Sequence, residues 1–215
     1  MTIKLVGSTA GSVSLDAPAS TNSSADLTLT LPTSTGSANQ YLKNSGTAGQ
    51  LEFAAGPSAG LFTAYGQAWV QTDTDVGGGV ATSGSWGTVP FLNASHKLES
   101  GLTVTVDATA NTVQVPAGTY LIKWAVPFYD SGESKSRLYD TAGGGSVLKY
   151  GTSVFSNTSH PSTIVSNGFY KATFNSAANL SLQYDVATTT GANGLGRATD
   201  DGVNIFTTIE FYKEG

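Results

Sequence analysis

Residues 112–126 read TVQVPAGTYLIKWAV, and the fold turns on them. A short alternating run ends at Val115, Pro116, Ala117 and Gly118 supply a turn, and a long strand begins at once. Continued to Tyr129, that strand sets Tyr120, Ile122, Trp124, Val126 and Phe128 on one face. Leu121, Lys123, Ala125 and Pro127 fall on the other, because successive strand residues point to opposite sides. Both faces are partly apolar. A strand covered on both sides belongs in the middle of a sandwich or at a subunit boundary.

Around this segment, strand signals recur at spacings of about 8 to 14 residues, the rhythm of an all-β sandwich or barrel. The other candidates are Ala68 to Thr72, Trp86 to Phe91, Leu102 to Asp107, Thr112 to Val115, Ser136 to Asp140, Val147 to Val154, Ser162 to Phe174, Asn179 to Ala187 and Val203 to Lys213. None reads as a helix. The run NLSLQYDV places Leu180, Leu182, Tyr184 and Val186 on one face and Ser181, Gln183 and Asp185 on the other, a strand buried on one side. The last strand, VNIFTTIEFYK, sets Ile205, Ile209 and Phe211 against Phe206 and Tyr212, which ties the C-terminal stretch into the core. Ten strands with a buried final strand suit a jelly roll. Tyr120, Trp124, Tyr184, Phe206 and Phe211 are the head's candidates for core or subunit interface; alternation leaves open which face meets a neighbour.

Upstream, the composition changes at a junction near residue 56. Before it, Gly, Ser, Thr, Ala and Asn dominate, and all three Trp residues lie after it. Short strand candidates occupy Ile3 to Leu5 and Ser12 to Leu15. Asp26 to Leu31, DLTLTL, aligns Leu27, Leu29 and Leu31 on one face before Pro32 stops it. One amphipathic strand has nothing of its own to bury that face against, so the three leucines point to an axis shared with other copies. Tyr41, Leu42, Leu51 and Phe53 suggest a small collar. The organisation expected is a β stem over 1–55, a neck over 56–68 and a jelly-roll head over 69–215.

Charged residues are 12% of the chain, against about 25% in a typical soluble domain. The net charge of −5, with ten scattered basic residues, argues against nucleic acid, whose binding rests on clustered Lys and Arg. There is no Cys, which removes disulfides, thiolate metal sites and Cys nucleophiles together. The N-terminal residues lack the apolar run of a signal peptide, and no stretch approaches a membrane span, so assembly in a cytoplasm is expected.

Catalytic chemistry is thinly represented. The two histidines, His96 and His160, stand in no HExxH or GxSxG setting. Asp73 and Asp75, and Asp200 and Asp201, are turn formers that lack the ligand spacing of a dedicated calcium loop. No catalytic, cofactor-binding or metal-ligating residue is therefore expected, nor an enzyme.

Two resemblances follow from these residues. GSTAGSVSLDAP, LTLTLP, NQYLKN and LEF, over about the first 55 residues, look like a segment that recurs in bacteriophage fibre and appendage proteins before a C-terminal head. TVQVPAGTYLIKWAV, ANLSLQYDV and the terminal IFTTIEFYK, reached through GLGRATDDG, resemble the jelly roll of the globular complement C1q domain and the tumour necrosis factor family. The alternative is another viral β-sandwich knob with the same strand rhythm. The second resemblance implies a homotrimer with aromatic residues along the threefold axis and with both ends of the head, Trp69 and Lys213, close together.

The function expected is a trimeric virion structural protein, a fibre, spike or other appendage, whose head attaches to a host surface or decorates the particle. Its partners would be two further copies, other virion proteins through the N-terminal segment, and a host-surface glycan or protein. A lectin-like carbohydrate-binding module and a small polysaccharide-degrading enzyme are the alternatives. Replacing Leu29 by Asp is expected to prevent stem assembly, because unpaired carboxylates would be gathered near one axis. Sedimentation of the variant checks this, and full-size assemblies would contradict it.

Overall fold

The long strand begins where the sequence places it because its turn is locally determined. Gly118 sits at φ 154°, a backbone conformation that side-chain-bearing residues rarely adopt. Two residues on, Tyr120 is fully buried and its hydroxyl donates to the Pro116 carbonyl at 2.9 Å, closing the turn back on itself. The computed structural model describes residues 3–6, 12–15, 28–56, 61–157 and 159–215. Its chain divides into two units, Met1–Ala59 and Gly60–Gly215.

In the first unit, β1 (Ile3–Val6) pairs antiparallel with β2 (Ser12–Leu15). A second hairpin joins β3 (Gln40–Asn44) to β4 (Leu51–Ala55), with Lys43 and Glu52 paired at 3.1 Å. The alternating DLTLTL run departs from expectation. Its described part forms no strand: Thr30 makes a single parallel bridge to Gln50, and Leu29 and Leu31 are exposed. The pattern is that of a strand, but the ladder partner it needs is missing among the described residues of its own unit. Leu27 lies outside the described residues.

The second unit is all-β. Its strands are β5 (Phe62–Thr72), β6 (Gly87–Thr88), β7 (Lys97–Ser100), β8 (Thr105–Asp107), β9 (Thr112–Val115), β10 (Gly118–Tyr129), β11 (Gly132–Asp140), β12 (Ser146–Ser156), β13 (Thr163–Phe174), β14 (Ala178–Val186) and β15 (Asn204–Glu214). They form two antiparallel sheets, one in the order β13-β10-β15-β5-β7 and the other in the order β12-β11-β14-β9-β8, with β6 on β14. Consecutive strands repeatedly cross from one sheet to the other, the winding of a jelly roll.

The head starts earlier than composition suggests. Phe62–Thr72 is one strand, so residues 62–68 of the expected neck belong to the first sheet, where Ala68 is fully buried opposite Ile209. Phe62 then faces Glu214, so the strand that opens the head and the strand that ends it run side by side; Trp69 pairs with Thr208 rather than with Lys213. The last strand contains a second departure. A register shift between Ile205 and Thr208 turns Ile205 outward, 58% exposed, although it shares alternation parity with the buried Ile209. Bulges reverse which residues face the core, and composition alone does not announce them.

The core fills the space between the sheets with Ile122, Phe128 and Phe211 from the first and Leu138, Leu180 and Leu182 from the second, all fully buried. Where the edge strands β12 and β13 close the sandwich, the packing is polar and tightly specified. Trp124 lies opposite Gly168, and its indole takes the room that a side chain at 168 would need. The indole Nε1 donates to Ser136 Oγ at 3.0 Å, Ser136 and Ser166 hydroxyls meet at 2.7 Å, and Ser166 Oγ donates to the Thr152 carbonyl at 2.6 Å. This chain links four strands of both sheets and leaves none of these buried donors unpaired. Gly168→Ala should force a methyl into the indole ring and cost about 1–3 kcal/mol. A lowered midpoint in denaturant unfolding at unchanged slope checks this; an unchanged midpoint would contradict it.

Candidate functional site

The inner face of β10 is filled by its own chain, and attention passes to its outer face. Register aligns three rows across the first sheet. Tyr65, Tyr212, Leu121 and Lys171 make one; Gln67, Glu210, Lys123 and Phe169 the next; Trp69, Thr208, Ala125 and Asn167 the third. Phe169 is 57% exposed, while Tyr65, Leu121 and Tyr212 are half-buried. Tyr212 gathers the aromatic groups, with ring centroids 5.0 Å from Tyr65 and 5.4 Å from Phe62. The face thus sets one exposed aromatic ring beside half-buried ones.

Its few charges are paired across strands. Lys123 approaches Glu210 at 3.7 Å, and Lys171 meets Glu214 at 2.6 Å. The Tyr212 hydroxyl donates to Glu210 Oε2 at 2.6 Å. That bond to a carboxylate, reinforced by burial, pushes the Tyr212 phenol up to about 12, and burial with the nearby Glu210 charge also raises Tyr65. At neutral pH the cluster keeps both phenols protonated. Beside it, a cleft of about 680 Å³ opens between Lys123, Phe169 and Glu210 and the edge residues Lys149 and Tyr150.

The residues singled out from sequence distribute differently. Tyr120, Trp124, Tyr184 and Phe211 point inward and are buried within the chain's own core. Phe206 is half-buried against that core at the β15 bulge. Leu29 and Leu31 are exposed at 66% and 69%. Of the outer-face set, Leu121, Phe169 and Tyr212 were not among the interface candidates. Its signal was present in the apolar character of the second face of GTYLIKWAVPFY, but only register joins Leu121 to Tyr212 and Tyr65.

The polar candidates sit in structural settings. His96 stacks on Trp69, centroids 6.3 Å apart and planes 7° from parallel, and His160 lies exposed in the β12–β13 loop. Asp75 occupies the left-handed region at φ 63°, and the Asp73 carbonyl accepts from Asn204 Nδ2 at 3.1 Å, so these residues shape turns. Among the described residues no three His, Cys, Asp or Glu side chains converge as metal ligands.

By strand order and register the head is a jelly roll. No protein-family model matches the chain, and no curated protein matches it. Among solved structures it is similar to the globular domain of zebrafish complement 1qA protein, with 14% identity and a TM-score of 0.42, over 70% of this chain and 96% of that one. It is similar to Eiger TNF from S. frugiperda with 13% identity and a TM-score of 0.41, over 72% and 93% of the two chains. It is similar to PRD1 vertex protein P5 with 15% identity and a TM-score of 0.38, over 73% and 100%.

The raised Tyr212 pKa carries a signed consequence. A phenol that titrates later in the folded state than its ordinary value of 10.0 stabilises the fold fully below pH 10. The contribution disappears as pH rises through about 12. Alkaline titration followed by tyrosinate absorbance should show a latest-titrating phenol, near 12, that is lost in Tyr212→Phe and returns toward its ordinary range in Glu210→Gln. An unchanged titration curve in Glu210→Gln would contradict the assignment.

Proposed function

We propose that the chain is a trimeric virion structural protein, an appendage whose jelly-roll head projects for host-surface attachment or particle decoration. The observation that carries this reading is the outer face of the first sheet, where Phe169 is exposed and Tyr65, Leu121 and Tyr212 are only half covered by their own chain. Fully covering a Phe side chain is worth about 1.5–3 kcal/mol, so leaving Phe169 in water is a cost that association removes. The occupant is a further copy. A closed ring needs two different patches per chain. The neighbouring edge of β12 and β13 offers the second, with Val147, Tyr150 and Val165 exposed.

The first unit supports the same conclusion from an independent direction. Tyr41, Leu42 and Phe53 of its β3–β4 hairpin are exposed, as are Leu29 and Leu31. An isolated hairpin is marginal in water, and this one carries its apolar groups outside. Ordering it by winding with copies of itself fits the resemblance of these residues to phage fibre segments, with 1–55 as the attachment stem for other virion proteins.

Phe169→Asp and Leu121→Asp should dissociate the assembly into single chains by sedimentation equilibrium while circular dichroism keeps its β signature, because both residues project from the outer face of an intact sheet. Trimers that persist in both variants, or a wild-type chain that sediments as a monomer, would contradict the proposal.

A further inference from the structure

The second sheet also has an outer face, and its chemistry differs. Alternation in β11 sends Glu133, Lys135, Arg137 and Tyr139 outward while Ser134, Ser136 and Leu138 are buried. Across the strands, Arg137 stands between Tyr150 and Gln183, and Lys135 between Ser153 and Asp185. The first of these rows is closed on itself. The Arg137 guanidinium stacks 3.9 Å from the Trp86 ring, its Nε donates to Gln183 Oε1 at 2.8 Å, and Trp86 meets Tyr150 at 5.8 Å. It forms a rigid wall.

The second row is open. A cleft of about 810 Å³ lies over it, within the size range of small-ligand sites. Phe155, opposite Glu133, is 65% exposed on the cleft wall. Among the described residues, Glu133 and Asp185 have neither an ion-pair partner nor a side-chain hydrogen bond, and Lys135 Nζ only rests over the Tyr150 ring at 5.2 Å. The far rim is held in place: Ser83 N–H donates to Thr189 Oγ1 at 2.9 Å, and the two hydroxyls meet at 2.9 Å. The cleft thus joins one exposed aromatic ring, two unengaged carboxylates, one ammonium and a fixed hydroxyl rim.

We infer that this cleft binds a neutral hexose-based saccharide. A pyranose presents an apolar C–H face that covers an aromatic ring such as Phe155, and vicinal hydroxyl pairs that donate to carboxylates such as Glu133 and Asp185. Lys135 donates to a ring or hydroxyl oxygen. Charge selects the neutral class, since two carboxylates against one ammonium repel an acidic sugar. The ligand class gives the attachment role proposed above its chemistry and rests on that reading for its purpose, while the site itself stands on the second sheet alone.

The test uses the full chain with maltotriose, cellotriose, mannotriose and lactose as neutral probes, 3′-sialyllactose and trigalacturonate as acidic ones, and a lysine-rich peptide. Binding is read by saturation-transfer NMR and titration calorimetry, and mass by sedimentation on the same samples. At least one neutral probe should bind, and Phe155→Ala and Asp185→Asn should each weaken it about ten- to hundredfold at unchanged mass. No binding of any neutral probe, binding confined to the acidic sugars or the peptide, or affinity untouched by both substitutions would overturn the inference. A trimer that binds no neutral probe overturns the site alone; a monomer that binds one overturns the trimeric head and leaves the site standing.

Discussion

A β-strand has two faces, and in Gly118–Tyr129 a single chain buries one of them and covers the other only in part, burying Pro127 but leaving Lys123 exposed and Leu121 and Ala125 half-buried. Tyr120, Ile122, Trp124, Val126 and Phe128 are taken up by the sandwich interior. Leu121 and its neighbours Tyr65, Tyr212 and Phe169 are left on a sheet face that has no second layer of its own. Everything else in the proposed architecture follows from satisfying that second face. A helical layer covers such a face in α/β proteins, but among its described residues the head has no α-helix. In the proposed assembly another copy supplies the apolar surface that covers it.

That face is presented accurately because the sandwich beneath it is pinned at its edge. The Trp124 indole fills the space over Gly168, and the hydroxyls of Ser136 and Ser166 carry its hydrogen bond across to the Thr152 carbonyl. Polar groups at such a seam exclude alternative registers, since a slip of one residue would bury them without partners. The two outer faces then diverge in character. One is aromatic with its charges paired, suited to a protein surface. The other leaves carboxylates and a ring unengaged beside a cleft, suited to a small polar ligand.

Much of the head was legible in the sequence because period-two alternation is a direct consequence of strand geometry. NLSLQYDV buries Leu180, Leu182, Tyr184 and Val186 as its alternation requires, and Thr112–Val115 and Gly118–Tyr129 begin and end where the turn residues say. The misreadings share a cause. Ile205 faces outward because a bulge breaks the parity, Lys97–Ser100 pairs as an edge strand without an apolar alternation to mark it, and DLTLTL has the pattern of a strand but only a single bridge. Each depends on what lies beside the strand, which alternation along one strand does not encode. The candidate sites were illegible for the same reason: Tyr65 with Tyr212 and Leu121, or Phe155 with Glu133, meet only through register between distant segments.

The central claim concerns which face is covered in the assembled protein, and hydroxyl-radical footprinting of the intact and dissociated full chain tests it most directly. The account predicts that Tyr65, Leu121, Phe169 and Tyr212 are protected in the assembly and modified after dissociation, while Phe155 on the second sheet is modified in both. Equal modification of the first-sheet residues in both states, or protection of Phe155 in their place, would contradict it.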